Sequence, residues 1–93
     1  MLKKVQVGHR TYELVPVKML PGTYGMCLAS AGTILYDPNQ PPLELYDTLV
    51  HELMHAAWHE ACLEVGDDEE RIVTVLSRFL SPILPKLTQA VLG

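Results

Sequence analysis

A proline-rich segment, residues 37–42, divides the chain into two parts whose apolar patterns differ. Proline restricts the backbone and removes an amide donor, so this segment acts as a rigid connector. The part before it contains four short runs of β-forming residues, at 5–7, 11–17, 26–29 and 33–36. Pro16 indicates that the second run ends there or forms an edge strand. The last two runs predict a hairpin around residues 30–32.

After the connector, apolar residues recur at helical spacing. One continuous pattern predicts a helix over residues 43–65, which Gly66 terminates. An acidic first turn favours a second helix over residues 67–80, and a short last helix follows through Leu92. The sequence therefore predicts an α+β fold. A small, mostly antiparallel sheet from residues 3–36 is expected to lie on the first of these helices, backed by one or two others.

The size and charge of the chain limit its organisation and its partners. Its 93 residues predict one domain, residues 1–93, with a single modest core. Apolar residues make up 48% and charged residues 19%, a composition typical of a globular protein. The net charge is -4, and Lys3 and Lys4 are the only adjacent basic pair. A surface that follows a phosphate backbone is therefore not expected, and nucleic acid is not a predicted partner.

The cysteine content and the length of the apolar runs indicate in which cellular compartment the protein is expected. Cys27 and Cys62 are too few for the disulfide scaffold of a small secreted domain, so buried free thiols in a reducing compartment are favoured over a single bridge between them. The N-terminal residues lack the apolar core of a signal peptide, and no apolar run approaches about 18 residues. These features predict a cytoplasmic protein without a membrane segment.

The segment His51-Glu52-Leu53-Met54-His55 carries the strongest chemical signal. On a helix with about 100° per residue, the two histidines lie about 40° apart and one turn from each other. Two imidazoles in this arrangement can bind one Zn²⁺, and Glu52 lies beside them, where it suits a general base better than a ligand. The alternative is a solvent-exposed helix face that carries unrelated histidines.

A catalytic zinc site needs a third protein ligand and an open position. His59 is a poor candidate because ligand atoms spaced over two helical turns spread along about 12 Å of helix axis. Glu69 and Glu70 open the next helix, and a short turn at Gly66 would fold that helix back against the first. Helix geometry favours Glu69, which lies nearer the centre of the apolar face of its helix. This reasoning leaves both Glu69 and Glu70 as candidates for the third ligand.

The motif at residues 51–55, followed by Glu70 and by Leu76-Ser77, resembles the gluzincin branch of zinc metallopeptidases. There the second helix carries the pattern E-x-x-A-[DN]-x-[FL]-A. Alignment on Leu76-Ser77 implies that Glu70 is the third ligand, with Glu69 as the fallback. Thr74 stands where the family has Asp or Asn bonded to a zinc histidine. Its hydroxyl can accept such a bond but brings no charge.

The runs at residues 48–56 and 69–76 also resemble very short phage and prophage proteins with a minimal zincin core, and this resemblance covers about residues 26–80. This resemblance implies one Zn²⁺ per chain, held by His51, His55 and Glu70, and a peptide or protein substrate. It also implies an edge strand that lies above the metal and pairs with the substrate, either residues 33–36 or the hairpin partner of that segment.

The predicted activity is hydrolysis of peptide bonds, with Glu52 taking a proton from the metal-bound water. Candidates for stabilising the oxyanion are His59 and one of three tyrosines, Tyr24, Tyr36 and Tyr46. The alternative function is a non-catalytic, zinc-stabilised binding module or one component of a larger assembly. A partner protein or a homo-oligomer is compatible with both functions.

Overall fold

Four short strands precede three helices in the computed structural model, which describes residues 3–63 and 66–92. A turn of 3₁₀-helix, Ala29–Ala31, joins the third and fourth strands. The elements are β1 (Lys4–Val7), β2 (Arg10–Pro16), β3 (Gly25–Leu28), β4 (Thr33–Tyr36), α1 (Pro42–Glu60), α2 (Asp67–Leu80) and α3 (Leu84–Leu92). The predicted α+β class is confirmed. Among the described residues, no helix combines the length and the apolar character needed to cross a membrane.

The strands form one mixed sheet in the order β1-β2-β4-β3. The β1–β2 and β3–β4 pairs are antiparallel, as predicted for a mostly antiparallel sheet, and β2 and β4 are parallel. Pro16 is the last residue of β2, so of the two predictions for this proline the strand end is the correct one. Because β4 is paired on both sides, β3 and not β4 is the edge strand of this hairpin.

The core lies between the sheet and α1. Apolar side chains from alternate positions of β2 and β4 point to one face and are buried against α1. The fully or nearly fully buried members are Tyr12, Leu14, Ile34, Tyr36 and Ala56. Tyr36 is therefore a core residue, and it is excluded as a candidate for oxyanion stabilisation.

Arg10 ties the sheet to the turn before β4. Its guanidinium donates hydrogen bonds to the carbonyl oxygens of Ala29 (2.6 Å) and Ser30 (2.9 Å). Gly32 allows this approach, because its φ of 64° is left-handed and a Cβ there would lie 3.0 Å from the guanidinium. Hydrogen bonds from Arg10 of β2 thus stabilise the turn that connects β3 with β4.

The first helix ends earlier than predicted. It stops at Glu60, not at residue 65, and Val65 itself lies outside the described residues. Cys62 has a left-handed φ of 57°, its N–H donates to the carbonyl of His59, and the N–H of Leu63 donates to the carbonyl of Trp58. These bonds form the helix-ending motif in which glycine is usual. Gly66, the predicted terminator, is instead the extended residue that precedes α2.

The second helix packs on α1 through few buried residues. Within the described part of the chain, Val73 and Ser77 are its buried side chains. The Ser81 hydroxyl, just beyond the helix, lies 2.9 Å from the Asp47 carboxylate of α1. The predicted bounds of α2 are confirmed, and the predicted last helix begins at Leu84.

Candidate metal centre

His51 and His55 lie one turn apart on α1 and face the same point. Their ring centroids are 4.9 Å apart with an edge-to-face arrangement, and the two Nε2 atoms are separated by 3.2 Å. The helical spacing alone produces this approach, since residues four apart lie on one face of a helix. Two imidazole lone pairs can therefore be directed at one ion.

Glu70 completes a set of three ligand atoms. Its Oε1 lies 3.1 Å from Nε2 of His51, and its Oε2 lies 2.8 Å from Nε2 of His55. The candidate ligand atoms of the three residues all lie within 4.8 Å of one another. Four ligands at about 2.0–2.1 Å from a tetrahedral zinc would be about 3.3–3.4 Å apart. The donor set and the spacing of the two histidines therefore fit a zinc ion with one further position.

Glu69 contacts the outer nitrogen of His55. Its Oε2 lies 2.5 Å from Nδ1 of His55, and its side chain is only 15% exposed, compared with 65% for Glu70. A carboxylate on Nδ1 favours the tautomer that carries its proton there, which leaves the Nε2 lone pair free for a metal. In this arrangement the two neighbouring carboxylates have different positions: Glu70 faces the centre, and Glu69 lies behind His55.

Thr74 does not contact a histidine in the way that the gluzincin pattern implies. Its hydroxyl donates instead to Oε1 of Glu70, at 3.3 Å. The contact with the outer nitrogen of His55 is made by Glu69. The sequence presented Glu69 only as an alternative third ligand and did not predict its contact with the outer nitrogen of His55. The available signal was its position near the centre of the apolar face of α2, which places its side chain toward α1.

Glu52 lies beside the two histidines and lines the same cleft. Burial raises the pKa of its carboxyl above the usual range, and the negative charge of Glu70 adds to the rise. The two histidines and a hydrogen bond from the backbone N–H of Cys27 lower the same pKa. The Glu52 carboxylate is half-buried and accepts a hydrogen bond from β3. Because its pKa is raised, it is suited to accepting a proton.

The cleft has a volume of about 740 Å³, and the segment leading into β3 forms one wall. Gly25 permits this close approach, because a Cβ there would lie 2.7 Å from Cγ2 of Thr48 and 3.1 Å from Cγ of Glu52. In the sequence, Gly25 lies between the second and third predicted strands. A glycine is required at this position because it contacts Thr48 and Glu52, which lie more than 20 residues further along the chain. A local sequence pattern cannot reveal such a contact.

The Cys27 thiol also lines this cleft. Burial and the charges of Glu52, Glu69 and Glu60 raise its pKa to about 11. The thiol therefore stays protonated at neutral pH and is a weak nucleophile. Cys27 and Cys62 are both free, as predicted, but Cys27 is half-buried and Cys62 is exposed, so the prediction that both thiols are buried is wrong.

The remaining candidates for oxyanion stabilisation differ in whether they line the cleft. Tyr24 and His59 line the cleft and are exposed. Tyr46 is half-buried on α1 and is not among the residues that line the cleft. Of the four residues considered, Tyr24 and His59 are the two that can reach a molecule bound there.

Comparisons of the chain with models of protein families, with curated proteins and with solved structures find no match. The resemblance to gluzincins therefore rests on the residues of its two motifs. We therefore infer function from the geometry that these residues adopt.

Proposed function

We propose that the chain is a zinc-dependent peptidase with one Zn²⁺ held by His51, His55 and Glu70. The observation that supports it best is the convergence of these three ligand atoms, from two helices, in a cleft that also contains Glu52. Two histidines and a carboxylate are one of the ligand sets of catalytic zinc, which keeps a fourth position for water or substrate.

Zinc in such a site supplies a Lewis acid that polarises a substrate carbonyl and lowers the pKa of a coordinated water. The protein residues supply the remaining functions. Glu52 accepts a proton from the attacking water on its carboxylate and returns it to the leaving nitrogen. Glu69 orients the ring of His55 through Nδ1.

The edge of β3 suits an extended peptide. Its neighbour β4 pairs with only one side of β3, so the other side of this strand has main-chain groups without a strand partner in the described sheet. Extended peptides bind such edges by main-chain hydrogen bonds. Because Met26 and Cys27 of β3 line the cleft, a peptide added there would pass close to Glu52.

A structural role for zinc is the second candidate. The observation in its favour is the small buried contact of α2, whose acidic first turn supplies Glu70. A metal held between α1 and α2 would then stabilise the fold and leave a binding surface without hydrolysis.

Glu52→Gln distinguishes the two functions. The change preserves size but removes the proton acceptor, so we expect zinc binding at one ion per chain and a loss of peptide hydrolysis of about 10²–10⁴-fold. Metal content is measured by mass spectrometry, and hydrolysis by digestion of a peptide library. Glu13→Gln, an exposed carboxylate on β2, is the matched control and is expected to retain activity.

Equal hydrolysis by the wild type and Glu52→Gln would contradict the assigned base. Zinc binding without hydrolysis in the wild type, after a complete library has been tested, would favour the structural role. Absence of zinc binding by the wild type would contradict both functions.

A further inference from the structure

The proline-rich connector between β4 and α1 has a defined conformation of its own. The carboxylate of Asp37 accepts a hydrogen bond of 2.9 Å from the N–H of Asn39, which closes a turn. Gln40 follows this turn, and Pro41 after it restricts the backbone of Gln40 to extended conformations. The connector itself therefore fixes the direction in which the Gln40 side chain leaves the backbone.

The amide of Gln40 bonds to elements on both sides of the connector. Its Nε2 donates to the carbonyl oxygen of Asp37 at 2.7 Å, and its Oε1 accepts a hydrogen bond of 2.8 Å from the Thr48 hydroxyl on α1. The carbonyl oxygen of Tyr24 lies 3.4 Å from the same Nε2 and accepts a bond of 2.9 Å from the N–H of Asp37. One half-buried side chain thus links α1 to the residue that precedes β3.

The segment that Gln40 reaches belongs to the cleft. We call residues 22–25 the wall segment, because all four line the cleft, whereas Gln40 is not among the lining residues. Thr48 packs against this segment, since its Cγ2 would lie 2.7 Å from a Cβ at Gly25. The Thr48 side chain therefore contacts the wall segment with its methyl group and Gln40 with its hydroxyl. Gln40 can act on a bound molecule only through these neighbours.

We propose that Gln40 is a positioning residue, which holds the wall segment against α1 and thereby sets the affinity of the cleft for an extended peptide. This inference rests on the proposed function, since the wall segment runs directly into β3, the edge to which the peptide would bind. A site that is ordered before binding loses less conformational entropy when its ligand binds. Without the amide of Gln40, the peptide would have to order the wall segment itself, and its affinity would fall.

Three hydroxamates distinguish the wall segment from the metal. Acetohydroxamate chelates zinc without a peptide part, whereas two peptide hydroxamates add three alanines, one on the carbonyl side and one on the nitrogen side. For the zinc-loaded Gln40→Ala variant, the affinity for at least one peptide hydroxamate is expected to fall about 3–10-fold, with the affinity for acetohydroxamate unchanged. Titration calorimetry measures all three affinities.

Thr48→Val tests the same link from α1. Valine keeps the methyl group that contacts Gly25 and lacks the hydroxyl that bonds to Gln40. It is expected to weaken binding of the same probe, and the double variant is expected to bind no more weakly than either single variant, because both changes break one hydrogen-bonded chain. Gln6→Ala is the matched control, since this exposed amide also donates to a backbone carbonyl, that of Gly8, and does not line the cleft. It is expected to bind all probes as the wild type does.

Hydrogen exchange of the metal-free chain gives a measurement that does not depend on zinc. The N–H of Asp37, which donates to Tyr24, is expected to exchange faster in Gln40→Ala than in the wild type. The N–H of Val17, which donates to the carbonyl of Tyr36, is expected to exchange equally in both.

Equal affinities of the wild type and Gln40→Ala for both peptide hydroxamates would overturn the proposal. So would an equal loss of affinity for acetohydroxamate, because Gln40 would then act on the metal centre, or unchanged exchange at Asp37. A wild type that binds no hydroxamate would contradict the proposed metal site. The exchange at Asp37 would then still decide whether Gln40 holds the wall segment.

Discussion

The sheet with α1 and the segment containing α2 are stabilised in different ways. The first region has a continuous apolar core of five buried side chains, contributed by β2, β4 and α1. The second has Val73 and Ser77 as its buried residues in the described chain, together with polar contacts to α1. These polar contacts are made by Glu69, Glu70 and Ser81.

This difference places the candidate metal centre at the boundary between a well-packed region and a weakly packed one. His51, Glu52 and His55 lie on the helix that the core holds in place. Glu69 and Glu70 lie on the helix that depends on contacts with those histidines. Assembly of the site and docking of α2 are therefore expected to be one event, and a metal ion would strengthen both.

The largest effect is expected from a cavity in the first region. Ile34→Ala removes a fully buried side chain from β4 and is expected to lower the free energy of unfolding by about 2–5 kcal/mol. Val73→Ala, the matched change in α2, removes two methyl groups and is expected to cost about 2 kcal/mol or less. Chemical denaturation measures both values.

Hydrogen exchange sharpens this test. Ile34→Ala is expected to weaken protection throughout the chain, whereas Val73→Ala is expected to weaken it mainly in α2. Equal loss of protection in both regions for Val73→Ala would show that the two regions unfold as one unit.

The next largest effect concerns the two carboxylates of α2. Glu70→Ala removes a proposed ligand, whereas Glu69→Ala removes only the contact to Nδ1 of His55. Loss of such an outer contact typically weakens metal binding by about 10–100-fold, and loss of the ligand is expected to weaken it further. Competition with a chromophoric chelator measures both affinities.

Glu69→Gln provides the control within this pair, because an amide oxygen can still accept a hydrogen bond from Nδ1. It is expected to retain more affinity than Glu69→Ala. If Glu69→Ala loses the metal and Glu70→Ala retains it, the ligand assignment is wrong and Glu69 is the third ligand.

The smallest effect on stability is expected from loss of the hydrogen bond between Tyr12 and Glu60. Tyr12 donates a hydrogen bond of 2.7 Å to Glu60, and Tyr12→Phe is expected to cost about 0.5–1.5 kcal/mol. Tyr24→Phe is the control, since Tyr24 is 57% exposed. Its unfolding midpoint is expected to match that of the wild type.

The same residue contributes to stability at high pH. Burial, followed by the hydrogen bond to Glu60 and its charge, raises the pKa of Tyr12 from 10.0 to about 12. The folded state therefore retains a proton that the unfolded state loses first. The contribution of Tyr12 is present below pH 10 and is lost as the pH rises to about 12. A wild type and a Tyr12→Phe variant with parallel stability profiles between these pH values would contradict this assignment.

Local sequence patterns were sufficient to predict the features that depend on neighbouring residues. Alternation and turn residues located the four strands, and helical spacing located α2 and placed His51 beside His55. Helix geometry favoured Glu69 as the third ligand, and the choice of Glu70 came from the resemblance to gluzincins. In the structure Glu70 is the one of the two that lies against both Nε2 atoms.

Features that depend on contacts between distant residues became visible only in the folded chain. The parallel pairing of β2 with β4 made β3 the edge strand, and the approach of β3 to α1 made Gly25 necessary. Docking of α2 placed Glu69 behind His55, and Cys62 ended α1 in a conformation usually taken by glycine. Periodicity assigns a residue to a face of its own helix or strand, whereas the distance to another element depends on how the whole chain packs.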